Sequence, residues 1–362
     1  MKRITPLFAI PALLLTVSAA AENTFLFGNS LTAGARLPEY DAELVANTQN
    51  PDWFIDQFTS PGTTLQAQRF VFEDRNRPKI NALDGQWDSV VFQPYDRNIT
   101  DPFAFTDRRP ADQPDWGDAN NISGLLEWFD AVGSDPTVYI YSHFPRITPG
   151  FVTTEDAFGS RREEVLEDYA NFDYSAEWQK TYTDPTPERP FLNQNFETRD
   201  YFVQLLDQVR TQEPTREAFL IPVGDVLEAV DIAAENGEFE SFSDVKELFV
   251  DDRHLQGGLP QYLKAATFYA TILGQDLDAL EWERYNNAGQ WTNRFADRDF
   301  YGNGVFREMD QASVDTLNAI ILDVVTRDPS LTGVSAAAIP EPATAGLLAI
   351  GGLVLLRRRN AS

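Results

Sequence analysis

The chain has 362 residues, 43% of them hydrophobic, and carries a formal net charge of −27. That length suits one large domain or two ordinary ones, and that charge excludes nucleic-acid binding through a basic face, because phosphate would be repelled. The absence of cysteine removes disulfides, thiolate metal sites and cysteine nucleophiles from consideration.

In chain order, Met1-Lys2-Arg3, an apolar run to Val17 and the small residues Ser18 to Ala21 have the three parts of a secretory signal peptide. Cleavage after Ala21 would make Glu22 the first mature residue. Asn23 to Gly28 fits a buried strand, and Leu31 onward can start a helix. Trp53 to Thr59 is a second strand, closed by the turn signal Ser60-Pro61-Gly62-Thr63, with a helix-prone stretch from Leu65 to Phe70. Asp88 to Pro94 is a third strand. Its run of Val90, Val91 and Phe92 lacks polar alternation, as in a parallel strand covered on both faces.

Residues 96–121 are rich in Asp, Pro, Arg and aromatic residues without a period, and read as a long loop or insertion. A helix from Ile122 to Val132 leads through Asp135-Pro136 to a fourth strand, Thr137 to His143. A second polar and aromatic insertion covers 145–200, with a helix expected around Arg161 to Tyr169. Tyr201 to Arg210 is helical, and Phe219 to Asp225 is a fifth strand running into a helix from Val226 to Asn236. Ser243 to Leu248 is short and helix-like, and a helix spans about Pro260 to Leu273. Residues 280–309 form a Trp-, Tyr- and Asn-rich loop. Asp310 caps a final amphipathic helix whose Leu317, Ile320, Ile321 and Val324 face inward. The main domain is thus expected over residues 22–330, with a linker over 331–338.

Strands separated by helices indicate a parallel sheet with helices on both faces, and ligands bind such sheets at the carboxyl ends of the strands. Ser30, Gly62, Gln93 and His143 all fall at or just beyond those ends. A serine at the break between a strand and a helix start is a candidate nucleophile when a histidine can take its proton. The chain has two histidines. Asp251 and His254 are three residues apart and share one side of a helix-like turn, so the aspartate can hold Nδ1 while Nε2 faces Ser30. Asp252 is the other carboxylate open to that role.

Gly28-Asn29-Ser30-Leu31 and Asp251-x-x-His254 together resemble the SGNH (GDSL-type) hydrolase superfamily, over roughly residues 23–275. The resemblance implies a three-layer α/β/α sandwich with a five-stranded parallel, flavodoxin-like sheet. It also implies an esterase without a cofactor, in which Ser30 attacks an ester carbonyl, His254 is base and then acid, and Asp251 orients it. The oxyanion would be held by the N–H of Ser30, the N–H of Gly62 and a side-chain amide. The family's aspartate before the serine is Asn29 here, and its block-three Gly-x-Asn is replaced by Phe92-Gln93-Pro94. Gln93 is the amide expected in the oxyanion hole, with Asn98 as a further donor. Loss of one such donor typically costs about 10²–10³ in rate.

Asn98 and His143 are weaker candidates for contacting substrate, a packing or surface role being the plainer reading of His143. The tryptophans Trp116, Trp128, Trp178, Trp282 and Trp291 suit either stacking on sugar rings or packing of loops on a core. Asp96, Asp101 and Asp115 lack calcium-loop spacing, and no metal site is expected.

The C-terminus has Ile339-Pro340-Glu341-Pro342-Ala343-Thr344, an apolar stretch from Ala345 to Leu356, and Arg357-Arg358-Arg359. The apolar part is shorter than the ~20 residues that span a bilayer comfortably. This tail, over 339–362, resembles the PEP-CTERM sorting signal of Gram-negative bacteria. The resemblance implies processing by signal peptidase and exosortase, with only a transient membrane segment. It further implies export across the inner membrane to an extracellular or cell-surface site, often with exopolysaccharide. The expected activity is therefore that of a secreted esterase acting on a short acyl ester or an acylated carbohydrate. A protein that keeps the fold and binds glycan in the extracellular matrix without hydrolysing it is the alternative.

Overall fold

A computed structural model describes residues 22–32, 53–95, 98–100, 117–147, 172–183, 197–249, 254–255, 257–277, 280–288 and 309–339. The leader to Ala21, the tail from Pro340, Asp251, Asp252, the expected helix over 161–169, Trp116, Trp291, Asp96, Asp101 and Asp115 lie outside these residues.

Five strands form one sheet: β1 (Glu22–Gly28), β2 (Trp53–Thr59), β3 (Ser89–Phe92), β4 (Thr137–Tyr141) and β5 (Ala218–Ile221). All pairings are parallel and the spatial order is β2-β1-β3-β4-β5. This is the doubly wound, flavodoxin-like order, in which the winding reverses between β1 and β3 and leaves a crevice at their carboxyl ends. Phe27 sits level with Phe58 on one side and Phe92 on the other, so the chain leaves β1 and β3 side by side at that crevice.

The helices are α1 (Leu65–Phe70), α2 (Glu73–Asn81), α3 (Asp118–Asp130), α4 (Tyr174–Trp178), α5 (Arg199–Gln212), α6 (Val223–Glu235), α7 (Leu259–Leu273), α8 (Glu283–Ala288), α9 (Gln311–Arg327) and α10 (Pro329–Thr332). α3 packs between α1 and α5, while α9 packs against α6 and α7. With helical layers on both sides, every residue of β3 is buried, which explains its unbroken apolar run. Phe25, Phe27, Trp87, Phe92, Trp128 and Phe129 form one aromatic cluster, with Phe27 stacked on Phe92 at 5.3 Å between centroids. Each such side chain contributes about 1.5–3 kcal/mol by burial. Among the tryptophans weighed for sugar stacking, Trp128 and Trp178 belong to this interior and Trp282 packs partly buried on the core.

Several expectations need revision. The loop read over 280–309 contains α8, and the fifth strand, read as far as Asp225, ends at Ile221, with α6 starting at Val223. The stretch Glu73–Asn81, left unassigned in the sequence, is a helix despite Pro78 inside it. The insertion over 145–200 contains α4, whose cap Asp173 accepts the Ala176 N–H at 2.8 Å. The stretch read as a linker over 331–338 is partly docked: Val334 is buried, and Gly333 lies against the Phe219 ring. The final helix is capped as expected, Asp310 accepting from Ser313 N–H at 2.7 Å. No helix among the described residues is long and apolar enough to cross a membrane.

Candidate active site

Ser30 stands just beyond β1, in a turn built by its neighbours. Leu31 N–H donates to Asn29 Oδ1 at 3.0 Å and Thr32 N–H to the Asn29 carbonyl at 3.1 Å. Asn29 Nδ2 donates to the Thr63 carbonyl at 3.3 Å, a bond that an aspartate could not make because it has no donor. Asn29 therefore ties the Ser30 turn to the loop after β2. Gly28 is required by space: a Cβ there would lie 2.1 Å from Thr32 Oγ1 and 2.6 Å from Thr32 Cβ.

His254 reaches this turn from the far end of the chain, its Nε2 lying 2.8 Å from Ser30 Oγ. Phe249 and Leu255 form an antiparallel bridge on either side of the His254 segment, and the Phe249 ring meets Phe144 edge-on at 5.2 Å. Upstream, Asp231 of α6 accepts the Val245 N–H at 3.0 Å, fastening the 3₁₀ turn Val245–Leu248 to the helix layer. Burial pushes the Asp231 carboxyl up to about 6, against the lowering effect of that bond. Asp251 and Asp252, the candidates to orient His254, lie outside the described residues.

The three expected oxyanion donors occupy different settings. Ser30 N–H and Gly62 N–H donate to no protein acceptor among the described residues. Gly62 is exposed and left-handed, at φ 66°. Its loop is drawn to the Ser30 turn by Ser60 N–H donating to the Gly28 carbonyl at 3.3 Å and by the Asn29–Thr63 bond. Gln93 is 1% exposed, and its Oε1 accepts from Asn29 N–H at 3.0 Å, Thr32 N–H at 3.2 Å and Thr32 Oγ1 at 2.6 Å. Its oxygen thus braces the Ser30 turn, while its Nε2 is buried without an acceptor.

The weaker candidates lie in the interior. His143 is 1% exposed, with Nδ1 3.2 Å from the Phe144 carbonyl, Nε2 3.3 Å from the Pro94 carbonyl and Phe202 edge-on to the ring. Burial holds its pKa below the usual histidine value. It is a packed strut and does not line the Ser30 pocket. Asn98 is buried, and its carbonyl accepts the Asp118 N–H at 2.8 Å at the start of α3.

A small pocket, part of it open to solvent, is lined by Ser30, Leu31, Phe144, His254, Leu255, Gln261 and Lys264. Lys264 is buried, with Nζ 3.4 Å from the carbonyls of Leu31 and Thr32. Phe144, Gln261, Lys264 and Thr32 were not singled out in the sequence. The long polar side chains Gln261 and Lys264 among the buried residues of a largely apolar α7 were the available signal. Among the described residues no cluster of carboxylates and histidines could hold a metal ion.

No family model matches this chain, and no curated protein does. Solved structures do. A lipase/acylhydrolase from Enterococcus faecalis is similar at 14% identity, over 70% of this chain and 96% of its own, with a TM-score of 0.35. A protein described as a GDSL-like lipase from Parabacteroides merdae is similar at 11% identity, over 69% and 94%, with a TM-score of 0.35. A variant of an acetyl-xylooligosaccharide esterase from Geobacillus is similar at 12% identity, over 73% and 97%, with a TM-score of 0.36. What those proteins act on is theirs, and the chemistry of this chain has to be read from its own residues.

Proposed function

We propose that the chain is a serine esterase of the SGNH type. The observation that carries this reading is the 2.8 Å approach of His254 Nε2 to Ser30 Oγ, across 224 residues of sequence and at the winding reversal of the sheet. His254 takes the Ser30 proton as Oγ attacks the ester carbonyl, giving a tetrahedral intermediate whose oxyanion is met by Ser30 N–H, Gly62 N–H and Gln93 Nε2. The imidazolium then protonates the departing alcohol oxygen and an acyl-serine remains. Water, deprotonated by His254, attacks that acyl group, and the returned proton regenerates Ser30 as the acid leaves. Asp251 holds Nδ1 of His254 in this scheme.

The substrate in this reading is a short acyl ester, and possession of a leader and a sorting-type tail supports export and release outside the inner membrane by signal peptidase and exosortase. An acylated carbohydrate is the substrate that such a setting favours. The test is burst release of p-nitrophenol from p-nitrophenyl acetate, abolished by Ser30→Ala and by His254→Ala. A folded protein without turnover on acetate, butyrate and longer acyl esters would overturn the reading.

A further inference from the structure

The pocket beside Ser30 has one polar group with nothing to bind. Gln261, on the first turn of α7, is 3% exposed and lines the pocket, yet its Nε2 is buried without an acceptor. Leaving a buried amide donor unpaired is costly, and a leucine at the same place would avoid that cost. Its neighbour Lys264 is turned onto the Leu31 and Thr32 carbonyls, so the two polar side chains of this wall differ: one is used by the protein and one is not. The remaining wall, Leu31, Phe144 and Leu255, is apolar.

The side of the site on which Gln261 lies decides what it meets. Gly62 and Gln93, the expected oxyanion donors beyond Ser30 itself, do not line this pocket, whereas His254 does. His254 delivers its proton to the departing alcohol oxygen, so the pocket next to it receives the alcohol half of the ester. An amide in that wall offers a donor and an acceptor, which matches a hydroxyl group and not a hydrocarbon.

We infer that Gln261 selects the alcohol half of the substrate, by hydrogen bonding to a hydroxyl next to the esterified oxygen, and that the substrates are partial esters of polyols. This rests on the esterase reading above and narrows it. A site built to bond a hydroxyl discriminates strongly against an analogue lacking it, because its own buried group is then left unpaired.

The test compares two acetates that differ by one hydroxyl: the monoacetate of trans-cyclohexane-1,2-diol, and cyclohexyl acetate. The readout is the ratio of their kcat/KM values in wild type, Gln261→Leu and Gln261→Met, each checked for folding by its melting curve. Wild type is expected to favour the diol monoacetate by about tenfold or more, and both variants to bring the ratio close to one. An unchanged ratio in the folded variants, or equal rates on both acetates in wild type, overturns this inference and leaves the esterase reading standing. No turnover of either acetate by a wild type that still releases p-nitrophenol from p-nitrophenyl acetate overturns this inference alone, and no turnover of any of the three esters overturns both.

Discussion

The two histidines of this chain occupy opposite kinds of region. Around His143 the fold is closed: the ring is 1% exposed, both nitrogens face backbone carbonyls, and Tyr141, Phe144 and Phe202 surround it. Around His254 the fold is open: the ring is half-buried, its Nε2 meets the Ser30 hydroxyl, and in the pocket they share Gln261 Nε2 has no acceptor among the described residues. A neutral imidazole has one N–H, so in that form His143 donates to one carbonyl only, and burial disfavours the second proton. The same side chain is held between two backbone carbonyls in one place and set against a serine hydroxyl in the other. One ring is enclosed by the core, whereas the other stands against a hydroxyl in the wall of a pocket.

The largest effect that should sharpen the contrast is on turnover. His254→Ala is expected to lower kcat on p-nitrophenyl acetate by at least ~10³-fold with little change in melting temperature. His143→Ala should do the reverse, losing about 3 kcal/mol in urea titration through the cavity it leaves, with turnover per folded molecule within a few-fold of wild type. A His143 variant that keeps full stability and loses turnover would break the comparison.

Next in size is Gly28→Ala. The added methyl meets Thr32 Cβ at 2.6 Å, close to the backbone and unable to swing aside, so a loss of about 2–3 kcal/mol is expected together with reduced kcat. Thr32→Val removes the 2.6 Å bond to Gln93 Oε1 while keeping the shape. It should lower kcat about tenfold with KM nearly unchanged, because the brace under the Ser30 turn loosens. A change confined to KM would contradict that role.

The smallest effect is in the pH dependence of stability, where His143 and Glu22 act with opposite signs. His143 is held below its unfolded value of 6.5, so the unfolded chain binds the extra proton, and stability rises with pH up to about 6.5. At the opposite end of the sheet, burial pushes Glu22 from 4.5 up to about 7, with Asp88 adding and a Ser89 hydrogen bond opposing. Here the native state keeps the proton, and stability falls as pH rises from about 4.5 to 7, by about 2 kcal/mol once partial water access is discounted. Glu22→Gln should therefore steepen the rise of stability with pH in that window, as read by urea midpoints. An unchanged slope would count against the burial of Glu22.

Much of the fold was legible in the sequence, because fully buried parallel strands leave an unmixed apolar record: Val90, Val91 and Phe92 could hardly sit at a surface. The cap at Asp310 was legible for a similarly local reason. Glu73–Asn81 was not, since its charged residues show little apolar face and Pro78 reads as a break. The Ser30–His254 pairing was suggested by spacing and by resemblance, whereas its support was hidden. Nothing local in Phe92-Gln93-Pro94 says that the Gln93 oxygen takes three donors from a turn some 60 residues earlier. Gln261 was invisible for the same reason: an unpaired amide is a property of its surroundings.

The most direct test of the central claim is intact-mass analysis after incubation with a fluorophosphonate probe. Wild type should gain one adduct, mapped to Ser30; Ser30→Ala should gain none, and His254→Ala should react orders of magnitude more slowly. An unlabelled wild type, or equal labelling of Ser30→Ala, would contradict the assignment of Ser30 as the nucleophile.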